Sequence, residues 1–287
     1  MKSKAEIIHT SSLEILETIG VRLHHPLALK LCADHGFKLD GNLVFFESEK
    51  LMNLISLSPS TFTLHARNSQ FNMQFGLGKV NFAPGYGAPS VVDDSGRVRN
   101  ALFDDYKCFL SMIQSSEYFD INGGILVQPS DIPAEKAMSM MVCATISASD
   151  KSILAPNGDK QGTDIMFALL EALFGYEDLL HTPRVITLVS TLTPLQIDEA
   201  ALNTLLTYSK YNQPVMVTPT VMAGSTGPIT LSGTMALANA EALAGIALVQ
   251  MAKPGCPVMY GCQNTCADMK TGGISIGSPE RVLCVAM

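Results

Sequence analysis

One carboxylate in this sequence stands alone. Glu241 carries the only formal charge between Tyr211 and Ala252, and its neighbours are mostly Ala, Gly, Leu and Ile. An unpaired carboxylate is costly to bury, so Glu241 is expected to be either a catalytic group or a structural anchor. A helix that begins near Pro228 would place it roughly 20 Å from the strand ends at which a barrel builds its site, at about 1.5 Å per residue, too far for its side chain to reach them. We therefore favour the structural role, with Glu241 hydrogen-bonded between helices or across a subunit interface.

The histidines and cysteines offer no catalytic or metal-binding pattern. None of the 6 histidines pairs with Ser or Cys in a nucleophilic motif, and there is no HExxH. Cys256, Cys262, Cys266 and Cys284 cluster late in the chain, but no CxxC occurs among them. Buried thiols are therefore favoured over a zinc site. The sequence gives no support to a hydrolase, and we expect this chain to bind no metal.

The composition excludes several classes of partner. Charged residues make up 16% of the chain, its net charge is −7 and it has no basic run, so nucleic acid is not expected. The first residues lack the continuous apolar core of a signal peptide, and we expect a cytoplasmic protein with reduced cysteines. The apolar run from Gly227 to Ala252 is long enough to cross a membrane, but Asn239 and Glu241 interrupt it and no basic clusters flank it. We therefore predict a buried helix and no membrane partner.

Two patterns divide the chain. In residues 1–78, a helical pattern that stops at Gly20, a second helix that begins at Pro26 and short strand-like runs predict an α+β lead-in segment. From residue 79 to residue 287, short apolar runs alternate with helical patterns. The predicted strands are 79–87, 118–129, 152–157, 184–191, 214–220 and 257–262, and the predicted helices are 104–117, 134–149, 163–176, 195–210 and 228–252.

The alternation predicts an α/β fold. The strands are apolar on both faces, as in a parallel sheet whose two sides are both covered. A TIM (β/α)8-type barrel and a doubly wound sheet both fit, but no GxGxxG follows the first strand, which disfavours a dinucleotide-binding sheet. We therefore predict a partial barrel in residues 79–287 that holds the first six strands. It would be incomplete at its C-terminus, because the chain ends within what reads as the start of the sixth helix.

Several separated blocks of sequence support a more specific interpretation. They are EILETIGVRLHHP, VDDSGRVRNA, TPLQID, GSTGPITLSGTMALANAEALAGIALVQMAKPGCPVMYG and DMKTGGISIGSPE. In these blocks the chain resembles the trimethylamine methyltransferase family, the corrinoid-dependent methyltransferases of methylamines and glycine betaine. The resemblance runs along nearly the whole chain and is densest from Thr193 to Glu280.

This resemblance implies both a fold and a reaction. Members of the family are TIM barrels that move a methyl group from a methylated amine, such as trimethylamine or glycine betaine, to cobalt(I) of a corrinoid. A separate small corrinoid protein carries that cofactor and would be the partner of this chain. Some members contain pyrrolysine at a position that lies beyond Met287, so the sequence leaves the branch of the family open.

A reaction of this kind needs groups that hold a poorly hydrated cation, and aromatic faces attract quaternary ammonium. Tyr86 and Tyr260 each lie at a predicted strand end, where a barrel builds its site, so we predict that both bind substrate. Gln263 and Asn264 could hold a substrate carboxylate or a corrin amide, and Asp268 could balance the cation. Each has an ordinary alternative, respectively a core tyrosine, a turn residue and a solvated carboxylate. The sequence identifies no catalytic residue.

Other functions stay open. A small-molecule-binding barrel without turnover, or an inactive fragment, fits because no complete catalytic set is visible. A barrel lyase or aldolase would need a lysine at a strand end, whereas Lys151 precedes its strand. Small residues along the Glu241 helix would let another helix approach closely, so we expect a homo-oligomer when the protein is complete. These residues are Ala236, Ala240, Ala244 and Ala247.

Overall fold

The chain forms two compact units, described here from a computed structural model. Unit 1 consists of Met1–Ser58, Val189–Ser209 and Met216–Met287, and unit 2 consists of Pro59–Leu188 and Lys210–Val215. The structure describes residues 3–268, 270, 273–274 and 277–286. Unit 1 thus combines the first part of the predicted lead-in segment with later parts of the chain.

Helices and strands alternate along much of the chain. The helices are α1 Lys4–Thr18, α2 Pro26–Asp34, α3 Ser48–Ile55, α4 Phe103–Ser115, α5 Ala134–Ala148, α6 Lys160–Phe174, α7 Tyr176–His181, α8 Glu199–Lys210, α9 Leu231–Ala252 and α10 Pro279–Ala286. The strands are β1 Val21–Leu23, β2 Lys38–Asp40, β3 Leu43–Phe45, β4 Phe62–Leu64, β5 Met73–Phe75, β6 Ser90–Val92, β7 Val98–Asn100, β8 Ile121–Gly123, β9 Ser152–Leu154, β10 Val185–Val189, β11 Gln196–Ile197, β12 Val215–Val217, β13 Met222–Ala223, β14 Val258–Tyr260 and β15 Thr265–Cys266. Each helix predicted after residue 79 is present within about one turn of its predicted bounds.

The first part of unit 1 is an α+β arrangement. Helix α1 ends where the sequence predicts, because Gly20 adopts a φ of +80° and a Cβ there would meet the carbonyl oxygen of Val44 at 2.6 Å. Strands β1, β2, β3 and β11 form one sheet in the order β11-β1-β3-β2. Strand β1 runs parallel to β11, with Arg22 opposite Gln196, and antiparallel to β3.

Helix α9 is the core of unit 1. It packs against α1, α2 and α3, and nearly all of its residues from Thr234 to Met251 are buried. A helix that is apolar all round needs such cover on every side. The hydroxyl of Ser12 on α1 donates to the carbonyl oxygen of Ala236 at 2.9 Å, so a helix of the same chain occupies this small-residue face. The run that is long enough to cross a membrane is therefore a buried helix, as predicted, and the homo-oligomer stays a prediction.

Parallel strands carry the rest of the fold. In unit 2, β8, β9 and β10 are neighbours in the order β10-β9-β8, with Ile121 opposite Ser152 and Val185 opposite Ile153. In unit 1, β12 and β14 are neighbours in a sheet. The antiparallel pairs β4–β5 and β6–β7 are separate two-stranded sheets. The predicted α/β class with parallel strands is confirmed, and closure of these strands into a TIM barrel stays a prediction.

The predicted first strand, residues 79–87, is not a regular strand. The segment still runs parallel to the chain around β8: the N–H of Asp120 donates to the carbonyl oxygen of Phe82 at 3.0 Å, and the N–H of Gly87 donates to that of Ile125 at 2.6 Å. Pro84 has no N–H to donate, and Gly87 adopts a φ of +84°. These two residues break the ladder that the apolar pattern predicts.

Candidate functional site

Three strand ends lie side by side in unit 1, which takes up the chain at Val189, the last residue of β10. The N–H of Thr218 donates to the carbonyl oxygen of Val189 at 2.8 Å, and the N–H of Gly261 donates to that of Val217 at 2.8 Å. These bonds join the carboxyl ends of β10, β12 and β14 in that order. Side chains that follow these strands therefore share one edge, which is where parallel α/β folds place their ligands.

Tyr260 is the last residue of β14 and lies at this edge. The residue is 50% exposed, so a ligand can reach it from solvent. Partial burial of the phenol, and secondarily the charge of the neighbouring Cys262, raise the pKa of Tyr260 to about 12. The phenol therefore stays neutral at physiological pH, and it can attract a cation only through its ring face or a neutral oxygen.

The residues after Tyr260 divide between structural and exposed positions. The N–H of Gln263 donates to the carbonyl oxygen of Pro219 at 3.1 Å, and its side chain is partly buried. The amide oxygen of Asn264 is buried and accepts the N–H of Val221 at 3.2 Å, so Asn264 acts as a turn residue. Asp268 is exposed, and its carboxylate accepts the N–H of Lys270 at 2.8 Å. Their predicted roles with substrate stay predictions.

Glu241 is fully buried in α9, and its carboxylate accepts three hydrogen bonds. Thr193 Oγ1 donates to Oε2 at 2.8 Å, the N–H of Leu195 donates to Oε1 at 2.8 Å, and the hydroxyl of Thr191 also donates to Oε2. Burial raises the pKa of Glu241 above its ordinary value, and these hydrogen bonds oppose that rise. The carboxylate is therefore desolvated but well supplied with donors.

The partners of Glu241 differ from those that we expected. All three donors lie on the turn that follows β10, whereas the sequence favoured another helix or another subunit. The estimate of roughly 20 Å between this side chain and the strand ends assumed that the helix must reach the site. Instead the chain leaves β10 after Val189 and turns back onto the middle of α9. The turn therefore contacts the carboxylate where it lies within the helix.

Tyr86 lies in unit 2, beside the ends of β8 and β9. Its hydroxyl is 3.4 Å from Oδ1 of Asn157, and a Cβ on Gly124 would come within 2.8 Å of its ring. The carbonyl oxygen of Gly124 in turn accepts the buried hydroxyl of Tyr106 at 2.9 Å. Burial raises the pKa of Tyr86 to about 12. This glycine therefore leaves the space in which the aromatic ring sits against a strand end.

The predicted site residues thus fall into two groups. Tyr260, Gln263 and Asp268 follow β14 in unit 1, where Glu241 holds the turn after β10, and Tyr86 belongs to unit 2. Among the residues that the structure describes, no group of three or more His, Cys, Asp and Glu side chains could hold a metal ion. At the end of β14, Tyr260 presents a neutral aromatic side chain and Gln263 an amide group that could contact a small ligand.

The whole chain matches the model of one known protein family. The family model described as trimethylamine methyltransferase (MTTB) matches residues 1–287. The chain belongs to the trimethylamine methyltransferase family. The resemblance that the separated sequence blocks suggested is therefore confirmed.

Curated relatives of this family member are methyltransferases by name. A glycine betaine methyltransferase of Desulfitobacterium hafniense (strain Y51) is 36% identical over 286 residues, which cover 99% of this chain and 60% of that protein. A proline betaine:corrinoid methyltransferase of Eubacterium limosum is 26% identical, with 97% of this chain and 59% of that protein covered. A trimethylamine methyltransferase MttB of Methanosarcina barkeri (strain Fusaro / DSM 804) is 27% identical, with 95% and 57% covered. The chain therefore spans about three fifths of the length of these relatives.

Solved structures support the fold of this family member. A crystal structure of a hydroxylamine complex of MtmB gives a TM-score of 0.57 at 14% identity, covering 90% of this chain and 53% of that one. The Methanosarcina barkeri monomethylamine methyltransferase (MtmB) gives 0.52 at 13% identity, covering 88% and 63%. At these identities the likeness concerns the fold alone.

Sequence reasoning missed several residues of this trimethylamine methyltransferase family member that build the two strand-end regions. They are Tyr106, Gly124, Asn157, Thr191, Thr193 and Thr218. The double glycine at the end of β8, Gly123 and Gly124, was an available signal, because paired glycines at a strand end often mark close approach of another group. The threonines gave none, since their partners are remote in sequence.

Proposed function

We propose that this protein transfers a methyl group from a methylated amine to cobalt(I) of a corrinoid carried by a separate protein. The observation that carries the proposal is the family match along the whole chain, together with 36% identity to a glycine betaine methyltransferase. The chain spans about three fifths of its curated relatives, so binding and turnover need separate tests.

The proposed reaction is a displacement at carbon. When the substrate nitrogen is positively charged, the C–N bond breaks with its electron pair passing to nitrogen, cobalt(I) supplies the pair of the new Co–C bond, and a neutral amine leaves. The protein then needs no nucleophile of its own. It must hold a cation, align one methyl group and leave room for a flat macrocycle, so positioning accounts for most of its contribution.

Tyr260 is the residue that we propose for the cation in unit 1, because it is half exposed at a strand end. Each aromatic face contributes about 0.5 to 2 kcal/mol to the binding of a quaternary ammonium. Gln263, three residues further along, can offer an amide N–H to a carboxylate or to a corrin side chain. In unit 2, Tyr86 offers a separate aromatic face beside Asn157. Asp268 is exposed and would balance the positive charge from the rim.

We propose a quaternary amine as the first substrate to test. The identity of 36% to the glycine betaine methyltransferase exceeds the 27% to the Methanosarcina barkeri trimethylamine methyltransferase. A quaternary ammonium also suits a neutral aromatic face such as that of Tyr260, because it needs no hydrogen-bond acceptor for an N–H.

The proposal is tested in two stages. Calorimetric titration with glycine betaine, proline betaine and trimethylamine measures binding, and unmethylated glycine serves as the control ligand. The visible spectrum of cob(I)alamin, followed in the presence of each amine, then measures methylation of cobalt. We expect a methylated amine to bind and glycine not to bind. A folded protein that binds none of the three amines and methylates no cobalt would contradict the proposal.

A further inference from the structure

A single buried side chain secures the segment that leaves the carboxyl end of β10. Glu241 lies in the middle of α9, yet its two carboxylate oxygens accept hydrogen bonds from Thr191, Thr193 and Leu195. Two of these donors are hydroxyls and the third is a backbone N–H. One residue of the helix therefore fixes three points on a turn of five residues.

The turn needs this support because part of its backbone is unfavourable. Leu195 adopts a φ of +52°, a left-handed conformation that is strained for a residue with a branched side chain. Its N–H is directed at Glu241 Oε1, and its carbonyl oxygen accepts the N–H of Arg22 at 2.9 Å. The two bonds hold Leu195 from both sides. Loss of the carboxylate would release the first of them.

The turn lies on the same edge as the proposed amine site, with the end of β12 between the turn and Tyr260. It starts two residues after Val189, whose carbonyl oxygen is bonded to Thr218, and Val217 is bonded to Gly261 next to Tyr260. Thr191 is nearly buried, whereas Leu192 is half exposed. The first residues of the turn therefore continue the same row of strand ends that carries Tyr260.

We propose that Glu241 is a positioning residue for the amine site. It does not touch the substrate; it fixes the Thr191–Leu195 turn as one wall at the strand ends of unit 1. This inference rests on the proposed function. Binding sites lose much of their effect when a supporting wall shifts by about 1 Å, so a released turn should weaken amine binding by about tenfold or more.

The same helix provides a matched control. Gln250 is also buried, and it holds the turn that precedes β14: its Nε2 donates to the carbonyl oxygen of Cys256 at 2.8 Å, and its Oε1 accepts the N–H of Gly255 at 2.9 Å. That turn lies at the amino end of β14, opposite the strand end with Tyr260. Glu241→Ala and Gln250→Ala therefore both remove a buried turn anchor, but only the first acts on a turn at the strand-end edge that carries Tyr260.

The experiment measures glycine betaine affinity by calorimetry and amide hydrogen exchange of residues 190–197 by mass spectrometry. Glu241→Ala should weaken binding and speed exchange in this peptide, each by about tenfold or more. Glu241→Gln keeps an oxygen for the Leu195 N–H and should restore both to within about threefold of the original protein. Gln250→Ala should leave amine affinity unchanged.

The outcomes separate this inference from the proposed function. If the original protein binds no methylated amine, the proposed function fails and this inference fails with it. If the original protein binds and folded Glu241→Ala binds as tightly, or Gln250→Ala weakens binding equally, only the inference is overturned. Should Glu241→Ala not fold, Thr193→Val removes one donor alone. It is then expected to speed exchange at 190–197 and to weaken binding, and unchanged affinity would overturn the inference.

Discussion

The hydroxyl of Thr218 occupies the space that a Cβ on residue 261 would need. Gly261 has no Cβ, so its N–H can bond to the carbonyl oxygen of Val217 while the Thr218 side chain stays where it is. The obstacle extends to the Thr218 Cβ, at 2.9 Å, so a rotation of the hydroxyl alone would not remove it. The close approach of β12 and β14 at their carboxyl ends therefore depends on glycine directly after Tyr260.

Gly261→Ala should separate these two strand ends. Overpacking of this kind lowers the free energy of unfolding by about 1 to 3 kcal/mol, and the shift should also displace Tyr260 and weaken amine binding. Urea unfolding and calorimetric titration measure the two effects. Gly85→Ala is the control, because nothing lies within 4 Å of its added Cβ and its φ is not positive. Equal stabilities of the two variants would contradict this view of Gly261.

Tyr260→Ala should weaken the binding of glycine betaine by about 0.5 to 2 kcal/mol, because it removes one aromatic face. Tyr260→Phe should keep most of the affinity, since the ring and not the hydroxyl attracts the cation. Tyr118→Ala serves as the control, because that tyrosine is 74% exposed and lies outside both strand-end regions. Tight binding by Tyr260→Ala, or a large loss in Tyr260→Phe, would rule out a cation held on this ring face.

Much of the fold was predictable from local signals. Gly20 and Pro26 mark a helix end and a helix start that the structure places at these residues, since both signals act on the backbone of their own neighbourhood. The buried α9 was predictable from its composition alone. The run 79–87 failed because a strand ladder needs N–H groups that Pro84 does not have, and because its apolar residues Val80 and Phe82 are exposed rather than buried.

The candidate site was harder to predict because its contacts are remote in sequence. Glu241 bonds to residues 46 to 50 positions earlier in the chain. The apolar pattern of α9 does not indicate that the turn after β10 packs against the middle of this helix. Tyr260 and Tyr86 could be placed at strand ends from the pattern of strands, but the glycine beside each ring became meaningful only with the distances. Local sequence patterns thus predicted the strand ends near which the site residues lie. The contacts that hold those residues depend on the tertiary structure and could not be predicted from the sequence.

Lys151 should be a determinant of the stability of unit 2. Its buried ammonium donates to three carbonyl oxygens at the end of α4 and beyond, those of Ile113 at 2.9 Å, Ser116 at 2.6 Å and Phe119 at 2.6 Å. Lys151→Met would remove the ammonium from all three acceptors, of which Ile113 keeps a second donor, the N–H of Ser116. The loss should lower the free energy of unfolding by about 1 to 3 kcal/mol. Urea unfolding measures the loss, with exposed Lys136→Met as the control. A Lys151→Met protein as stable as the control would show that water replaces the ammonium at no cost.

The free energy of unfolding should depend on pH through Glu241, on whose pKa two opposed effects act. Burial raises the pKa of this carboxyl, whereas the hydrogen bonds from Thr191, Leu195 and Thr193 lower it, and the net direction is a rise. Between the unfolded pKa, about 4.3, and the higher folded pKa, the folded protein binds the extra proton. The stability contributed by that proton is complete below about pH 4.3 and is lost as pH rises through the folded pKa.

Glu241→Gln removes this titration, so the comparison of the two proteins isolates it. The difference in free energy of unfolding, original protein minus Glu241→Gln, should fall as pH rises from about 4.3 and then become constant above the folded pKa. Its slope cannot exceed about 1.4 kcal/mol per pH unit, because one proton is involved. Exposed Glu199→Gln controls for the loss of one negative charge. A difference that rises with pH would mean that the three donors outweigh burial, and that the carboxylate is the favoured form of this anchor.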